Sequence, residues 1–258
     1  MAPFPRFLLT PRKILRHVFV LAIVAGCVVA GFWQRDRLIQ VRAYNRQVER
    51  QGALPPIALD ALIPTGSAPA PAAQLYRRVT VTGVYDPRHE EVLVGRDLND
   101  NPGNDLLTPL ITSDRRVVFV DRGWVPFDLD KPPITRAAPP SGTVTVTGVL
   151  FPPEKTSSDP TRPAPVTNWI DLGRFAKLES LPTVPMYIWQ ESSSPRAPGS
   201  LPKRVPLPPL DEGPHFSYMI QWWLFALVGT VGYPILLRRE IQKHRRIGSR
   251  AVREPAAV

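Results

Sequence analysis

The chain of 258 residues holds one cysteine, Cys27, so it cannot form an internal disulfide or a paired-thiol site for copper or zinc. Its four histidines, His17, His89, His215 and His244, fall in separate parts of the chain. "HEE" at 89 to 91 lacks the second histidine, four residues on, that a zinc-protease helix requires. No Gly-x-Ser-x-Gly elbow, glycine-rich phosphate loop or dinucleotide fingerprint is present. These absences remove the usual hydrolytic, nucleotide-dependent and hydride-transfer chemistries, and no enzymatic function is expected.

Charge is also scarce through the middle of the chain. The formal net charge is +10, but residues 1 to 18 carry Arg6, Arg12, Lys13 and Arg16 with no acid. Residues 238 to 258 carry seven Arg or Lys against Glu240 and Glu254, which leaves the stretch between the tails nearly neutral. Basicity confined to two tails is not the footprint of a nucleic-acid surface.

Each basic tail abuts a long apolar run. "ILRHVFVLAIVAGCVVAGFW" at 14 to 33 has no charge after Arg16, and "FSYMIQWWLFALVGTVGYPILL" at 216 to 237 has none at all. Each matches the roughly 20 residues that cross a bilayer core as a helix. Trp33, Tyr218, Trp222 and Trp223 stand at the same ends, as interfacial aromatics do. The positive-inside rule then places both termini in the cytoplasm and residues 34 to 214 outside it. "VAGC" at 24 to 27 resembles a lipoprotein cleavage box, but the apolar run continues to Trp33, so Cys27 is read as a buried membrane cysteine.

The expected order is therefore a basic tail (1 to 13), a span (14 to 33), an outward helical extension (34 to 52), a β-rich domain (53 to 194), a proline-rich link (195 to 214), a second span (215 to 237) and a basic tail (238 to 258). The fold class is a membrane protein in which two transmembrane α-helices flank an extracytoplasmic α+β domain, a small barrel or sandwich. Alternating segments at 77 to 87, "EEVLVGRD", "NDLLTPLIT", "RRVVFVDRGWVP" and 142 to 153 supply five strands. The pentapeptide TVTGV at 80 to 84 returns at 145 to 149, as two strands of one sheet, with Gly83 and Gly148 marking a bulge or close backbone approach. Residues 58 to 63 suggest a helical turn, 154 to 167 a polar loop, and "NWIDLGRFAKLES" a short helix with Leu172, Phe175, Ala176 and Leu178 inward. A last strand is expected around 184 to 190.

Two places invite a functional reading. In "VFVDRGWVPFD", Arg122 either pairs locally with a carboxylate while Trp124 covers a barrel end, or Arg122, Gly123 and Trp124 form a rim that grips a partner. At the outer ends of the spans, Trp33 and Gln34 should share a depth with His215, Tyr218 and Gln221. Polar groups at the lipid edge are costly unless they face a partner. His215 is an interfacial anchor, a contact to the other helix, or a metal ligand.

The same stretches resemble the Surfeit locus protein 1 family, assembly factors of haem–copper cytochrome c oxidase. "GFWQRDRL" is similar to the family's Gly-x-Trp-Gln-x-x-Arg motif, and "VTVTGVYDP" with "EEVLVGRD" to its first strand pair. "GNDLLTPLI", "VVFVDRGWVP" and "HFSYMIQWWLFAL" resemble its Thr-Pro strand, its Arg-Gly-Trp-Val-Pro signature and the opening of its second span. The chain departs from the pattern at Asp121, where the family commonly has Asn, and at Gly213-Pro214 before the histidine. The resemblance implies a non-enzymatic membrane factor whose partners are the oxidase catalytic subunit, the haem a synthesis enzyme and membrane lipid. It further implies transient haem a, with His215 on the iron, Trp33, Tyr218 and Trp222 over the macrocycle, and Arg37 or Arg122 on the propionates. The milder expectation is a factor that stabilises the subunit without touching haem. The alternative from another class is a scaffolding membrane protein whose β domain binds a different envelope partner.

Overall fold

A computed structural model describes residues 6–65, 74–154 and 166–251. The chain divides into two compact units, one formed by Met1–Asn45 with Leu210–Val258 and the other by Arg46–Pro209.

The first unit is a helix pair. Helix α1 runs unbroken over Pro11–Gly52, so the expected span and its outward extension are one rod. The expected stop at Gly52 holds. Helix α4 covers His215–Ala251, well past the expected end at 237. Arg and Lys are good helix formers, and their charge suits the negative end of the helix dipole. Both helices are long and apolar enough to cross a membrane, with mean hydropathies of 2.2 and 1.5 in their most apolar windows. Only 11% and 6% of those windows are buried, whereas the core helix of a soluble protein would be mostly covered.

What is covered on α1 forms a seam. From Lys13 to Asn45 the less exposed positions recur in alternating steps of four and three, through Val24, Cys27, Gly31, Gln34 and Leu38. On α4 the same rhythm passes through His215, Met219, Trp222, Ala226, Gly229 and Tyr233. A repeat of 3.5 residues keeps one stripe facing a partner helix. Gly31 lies under the Trp223 indole and Gly229 under Val24, where an added Cβ would come within 2.2 and 2.6 Å of those side chains. Two small residues thus let an antiparallel pair approach closely. Lys13 and Arg16 clamp Glu240 at one end, at 2.7 and 2.8 Å. Arg42 clamps Glu212 at the other, at 2.8 Å.

The second unit is one sheet of eight strands: β1 (Ile57–Ala58), β2 (Arg78–Tyr85), β3 (Glu91–Leu98), β4 (Asn101–Thr112), β5 (Val117–Pro126), β6 (Thr143–Phe151), β7 (Val166–Thr167) and β8 (Thr183–Ser194). Neighbours run β1-β2-β6-β8-β5-β4-β3-β7, and β2 also pairs with β4. That last pairing closes β2, β6, β8, β5 and β4 into a circuit. The two TVTGV strands lie side by side, with Val81 opposite Val146 and a Thr82–Thr145 hydroxyl contact of 2.9 Å.

Inside the circuit, alternate residues such as Val79, Val81, Val118, Val120, Val146 and Ile188 form the main core, closed by Leu59 and Ile63 around α2 (Leu59–Leu62). Each such side chain contributes roughly 1.5–3 kcal/mol by leaving water. The uninterrupted "VVFV" of β5 follows from burial on both faces: Val118 and Val120 point inward, while Val117 and Phe119 meet Leu172 and Phe175 of α3 (Leu172–Phe175). The short helix expected here is therefore present, but Leu178 faces outward. The close approaches expected at Gly83 and Gly148 are real: a Cβ there would sit 2.4 Å from the Ile111 carbonyl and 2.2 Å from that of Trp189. At Gly148 the β6–β8 register also shifts.

Two features differ from expectation. The proline-rich link packs onto the domain: Trp124 and Lys203 exchange backbone hydrogen bonds of 2.8 and 2.7 Å, and Leu201 is buried. The last strand is longer than expected, and it pairs in parallel with β5. Most of the polar loop expected over 154 to 167 lies outside the described residues.

Candidate functional site

The sequence placed Gln34 and His215 at one depth, and in the structure they touch. His215 Nδ1 lies 2.9 Å from Gln34 Oε1. In the neutral ring, with the amide oxygen as acceptor, the proton sits on Nδ1 and a lone pair is left on Nε2. Gln34 is buried in the helix seam and His215 is half-buried. The ring is thus held by a contact to its neighbour helix, one of the readings the sequence left open.

The aromatic residues around this pair are open. Trp33 is 63% exposed and Tyr218 47%, while Trp222 is half-buried against Phe225. At roughly 100° per residue, Trp33 and Arg37 lie to one side of Gln34 on α1. Tyr218 and Trp222 lie in the same rotational sense from His215, and antiparallel helices bring equal senses to the same flank. The opposite flank is where Gly31 and Phe32 meet Trp223. Four of the expected site residues, Trp33, Arg37, Tyr218 and Trp222, therefore share one side of the His215–Gln34 pair. Arg37 is exposed and, among the described residues, donates to Gln40 at 3.3 Å.

Arg122, Gly123 and Trp124 are not a gripping rim. The Arg122 side chain is 2% exposed, so it is presented neither to a partner nor to a propionate. Its guanidinium donates to Glu90 Oε2 at 3.1 Å and to the Ala137 carbonyl at 2.6 Å, and it stacks 5.5 Å above the Tyr85 ring. Glu90, equally buried, also accepts from Thr108 Oγ1 and from the Ile134 N–H. Burial pushes the Arg122 guanidinium below its ordinary range, against the pull of Glu90 and Tyr85. Trp124 is buried too, lying over Gly103 with Lys203 above its ring. Gly123, at φ +114° with the Lys203 carbonyl 2.3 Å from a would-be Cβ, holds the one backbone shape that lets the link cross here. Arg122 does pair with a carboxylate, as the structural reading expects, but the partner is not local. Its partner, Glu90, stands 32 residues upstream, as the middle residue of "HEE".

A second buried cluster lies next to it. Asp121 and Asp105 are both nearly solvent-free, with Arg96 Nε 3.9 Å from Asp105 and Arg96 Nη2 2.8 Å from Glu154. Three carboxyl groups thus share one guanidinium. Burial raises Asp105 to about 6 and holds Asp121 well above the carboxylate range, with Asp105 adding to the effect. Asp121 Oδ1 accepts from the Gly123 N–H at 3.0 Å. His89 is half-exposed, as expected of a turn, but it is engaged with Glu179 at 3.1 Å. Among the described residues no group of three or more His, Cys, Asp or Glu is arranged to hold a metal.

This arrangement can be set against known proteins. The SURF1 family model matches residues 21–227, which takes in part of the helix seam and the eight strands of the described residues. The chain belongs to the SURF1 family. An uncharacterized SURF1-like protein of Mycobacterium bovis is 31% identical over 247 residues, 93% of this chain and 89% of its own. SURF1-like proteins of Monosiga brevicollis and Rickettsia bellii are 30% and 27% identical, covering 81% and 82% of this chain and 82% and 86% of theirs. Membership of the SURF1 family links the chain in general terms to cytochrome c oxidase assembly. The match begins inside α1 and ends inside α4, so the family is defined by the helix pair together with the sheet.

Proposed function

We propose that this SURF1-family chain is a two-span membrane factor that assists haem a insertion into the catalytic subunit of cytochrome c oxidase. In this reading both termini are cytoplasmic, because the basic tails flank the spans. The domain, a small barrel closed by the β2–β4 pairing, is then extracytoplasmic. The observation that carries the haem contact is the His215–Gln34 hydrogen bond. It fixes the tautomer that leaves Nε2 as a ligand atom, in the manner of an outer partner orienting a metal-bound imidazole.

The donor set fits the group. Haem a, when bound there, supplies an iron that accepts one imidazole nitrogen and a broad apolar ring with acidic propionates. His215 would hold the iron, Trp33, Tyr218 and Trp222 would cover the ring from the exposed flank, and Arg37 would meet a propionate. Arg122 does not fit, because its charge is already spent on Glu90 inside the domain.

The full chain purified from cells that make haem a should carry haem, and His215→Ala should lose most of it. Gln34→Leu should weaken binding by roughly tenfold or more, the usual effect of removing an orienting partner. Equal haem content in wild type and His215→Ala would remove His215 from the ligand set. A deletion strain with normal oxidase activity and normal haem a spectra would sink the oxidase reading itself.

A further inference from the structure

Glu90 and Glu91 are consecutive extended residues where β3 begins, so their side chains leave toward opposite faces. Glu90 enters the Arg122 network; Glu91 does not. Glu91 is 3% exposed and its Oε2 has no hydrogen-bond partner. It lines a cavity of about 320 Å³. Phe119, Phe175 and Leu178 form the apolar wall, and His89 and Glu179 stand at the mouth. Arg88, also at the mouth, is turned onto Asp86 by two bonds of 2.8 and 2.7 Å. Leu178 is 52% exposed beside the opening.

A buried carboxylate oxygen without a donor is costly, and here it belongs to a residue that lines a cavity. A single unpartnered oxygen suits a point donor better than the two-pronged guanidinium. A narrow apolar wall leading to it suits a methylene stem.

We propose that this pocket receives a lysine side chain of a partner protein, with the ammonium on Glu91 and the stem against Phe119, Phe175 and Leu178. The inference is independent of the haem reading. Burial raises Glu91 to about 7, with Arg174 and His89 acting against that rise. Glu91 alone therefore goes from about one-tenth to about nine-tenths ionised between pH 6 and pH 8. Arg174, Arg88, His89, Glu179, Asp86 and Glu90 are the other charged groups around it.

The test uses the full chain in detergent micelles, with n-butylammonium as the stem-and-charge probe and n-butanol as its neutral counterpart. Carboxyl 13C NMR follows Glu91, identified by its loss in Glu91→Gln. Saturable binding of the ammonium, roughly ninefold tighter at pH 8 than at pH 6, is expected. Glu91→Gln should lower it at least tenfold. Equal binding of butanol, a flat pH dependence in the wild type, or undiminished binding by a folded Glu91→Gln would each overturn the proposal. The wild-type pH dependence decides alone if the variant does not fold. In membranes, carbodiimide should couple Glu91 to a lysine of another polypeptide. Coupling through other carboxylates but never Glu91 would overturn the partner.

Discussion

Asp121→Asn should make the β domain more stable at pH 8 and leave it almost unchanged near pH 3, below the unfolded carboxyl range. Asp121 and Asp105 are buried side by side, with one guanidinium shared among them and Glu154. Both carboxyls are raised by burial, Asp105 to about 6 and Asp121 further. A carboxyl that binds its proton more tightly when folded is neutral and uncostly at low pH. Its penalty grows as pH climbs from the unfolded value near 3.8, and it is complete once the folded value is passed. Moving Asp105 from 3.8 to about 6 corresponds to roughly 3 kcal/mol lost by pH 8. Asparagine keeps the oxygen that accepts from the Gly123 N–H, adds a donor, and removes one charge from the cluster. The expected gain at pH 8 is about 1–3 kcal/mol, on the order of a ten- to hundredfold rise in amide protection across β4 and β5. Hydrogen exchange with mass spectrometry on the full chain in detergent, normalised to intrinsic rates at each pH, reads this directly. An equal gain at both pH values, or none at pH 8, would refute the reasoning.

Arg122→Met should destabilise the domain by about 3 kcal/mol, because it strands Glu90 in the interior, and Glu90→Leu should do the same to Arg122. The double variant should cost clearly less than the sum, by denaturant unfolding of all four proteins. Gly148→Ala, whose Cβ would meet the Trp189 carbonyl at 2.2 Å, should cost about 1–3 kcal/mol and loosen β6 from β8 in hydrogen exchange. Ala226→Cys should form a disulfide with native Cys27 under mild oxidation, since both lie buried in the seam between the Gly31–Trp223 and Val24–Gly229 contacts. Adding Gly31→Leu should suppress that crosslink, measured by gel mobility after proteolysis between the helices.

Much of this was legible because it is local. Basic tails beside uncharged runs, the stop at Gly52, and the alternation of Thr and Val all report on their own segments. The TVTGV repeat went further, since two like strands with a late glycine each turned out to be paired neighbours. Gln34 and His215 were placed together by depth alone, and the helix pair brought them into contact. What sequence could not show depends on distant pairing. Arg122 looked available because its partner stands beyond two strands. Only the β3–β4–β5 order puts Glu90 beneath it. The parity of Glu90 and Glu91 was readable, because charges opening an apolar strand must go somewhere, yet which face held the network was not. The packing of the proline-rich link likewise rests on Trp124, some 80 residues earlier.

The helix pair also carries a measure of length. His17 meets Tyr233 at one end of the seam, 2.5 Å apart, and Gln34 meets His215 at the other. These two polar contacts are separated by 17 residues on α1 and 18 on α4, about 26 Å at the rise of an α-helix. A typical hydrocarbon core is about 30 Å thick. In the two-span reading proposed above, with both contacts seated at its borders, the protein would prefer a bilayer a few ångströms thinner, or draw one inward around itself. In that reading lipid thickness becomes a variable that presses on His215: a thicker membrane would submerge its hydrogen bond, and a thinner one would lift it into water.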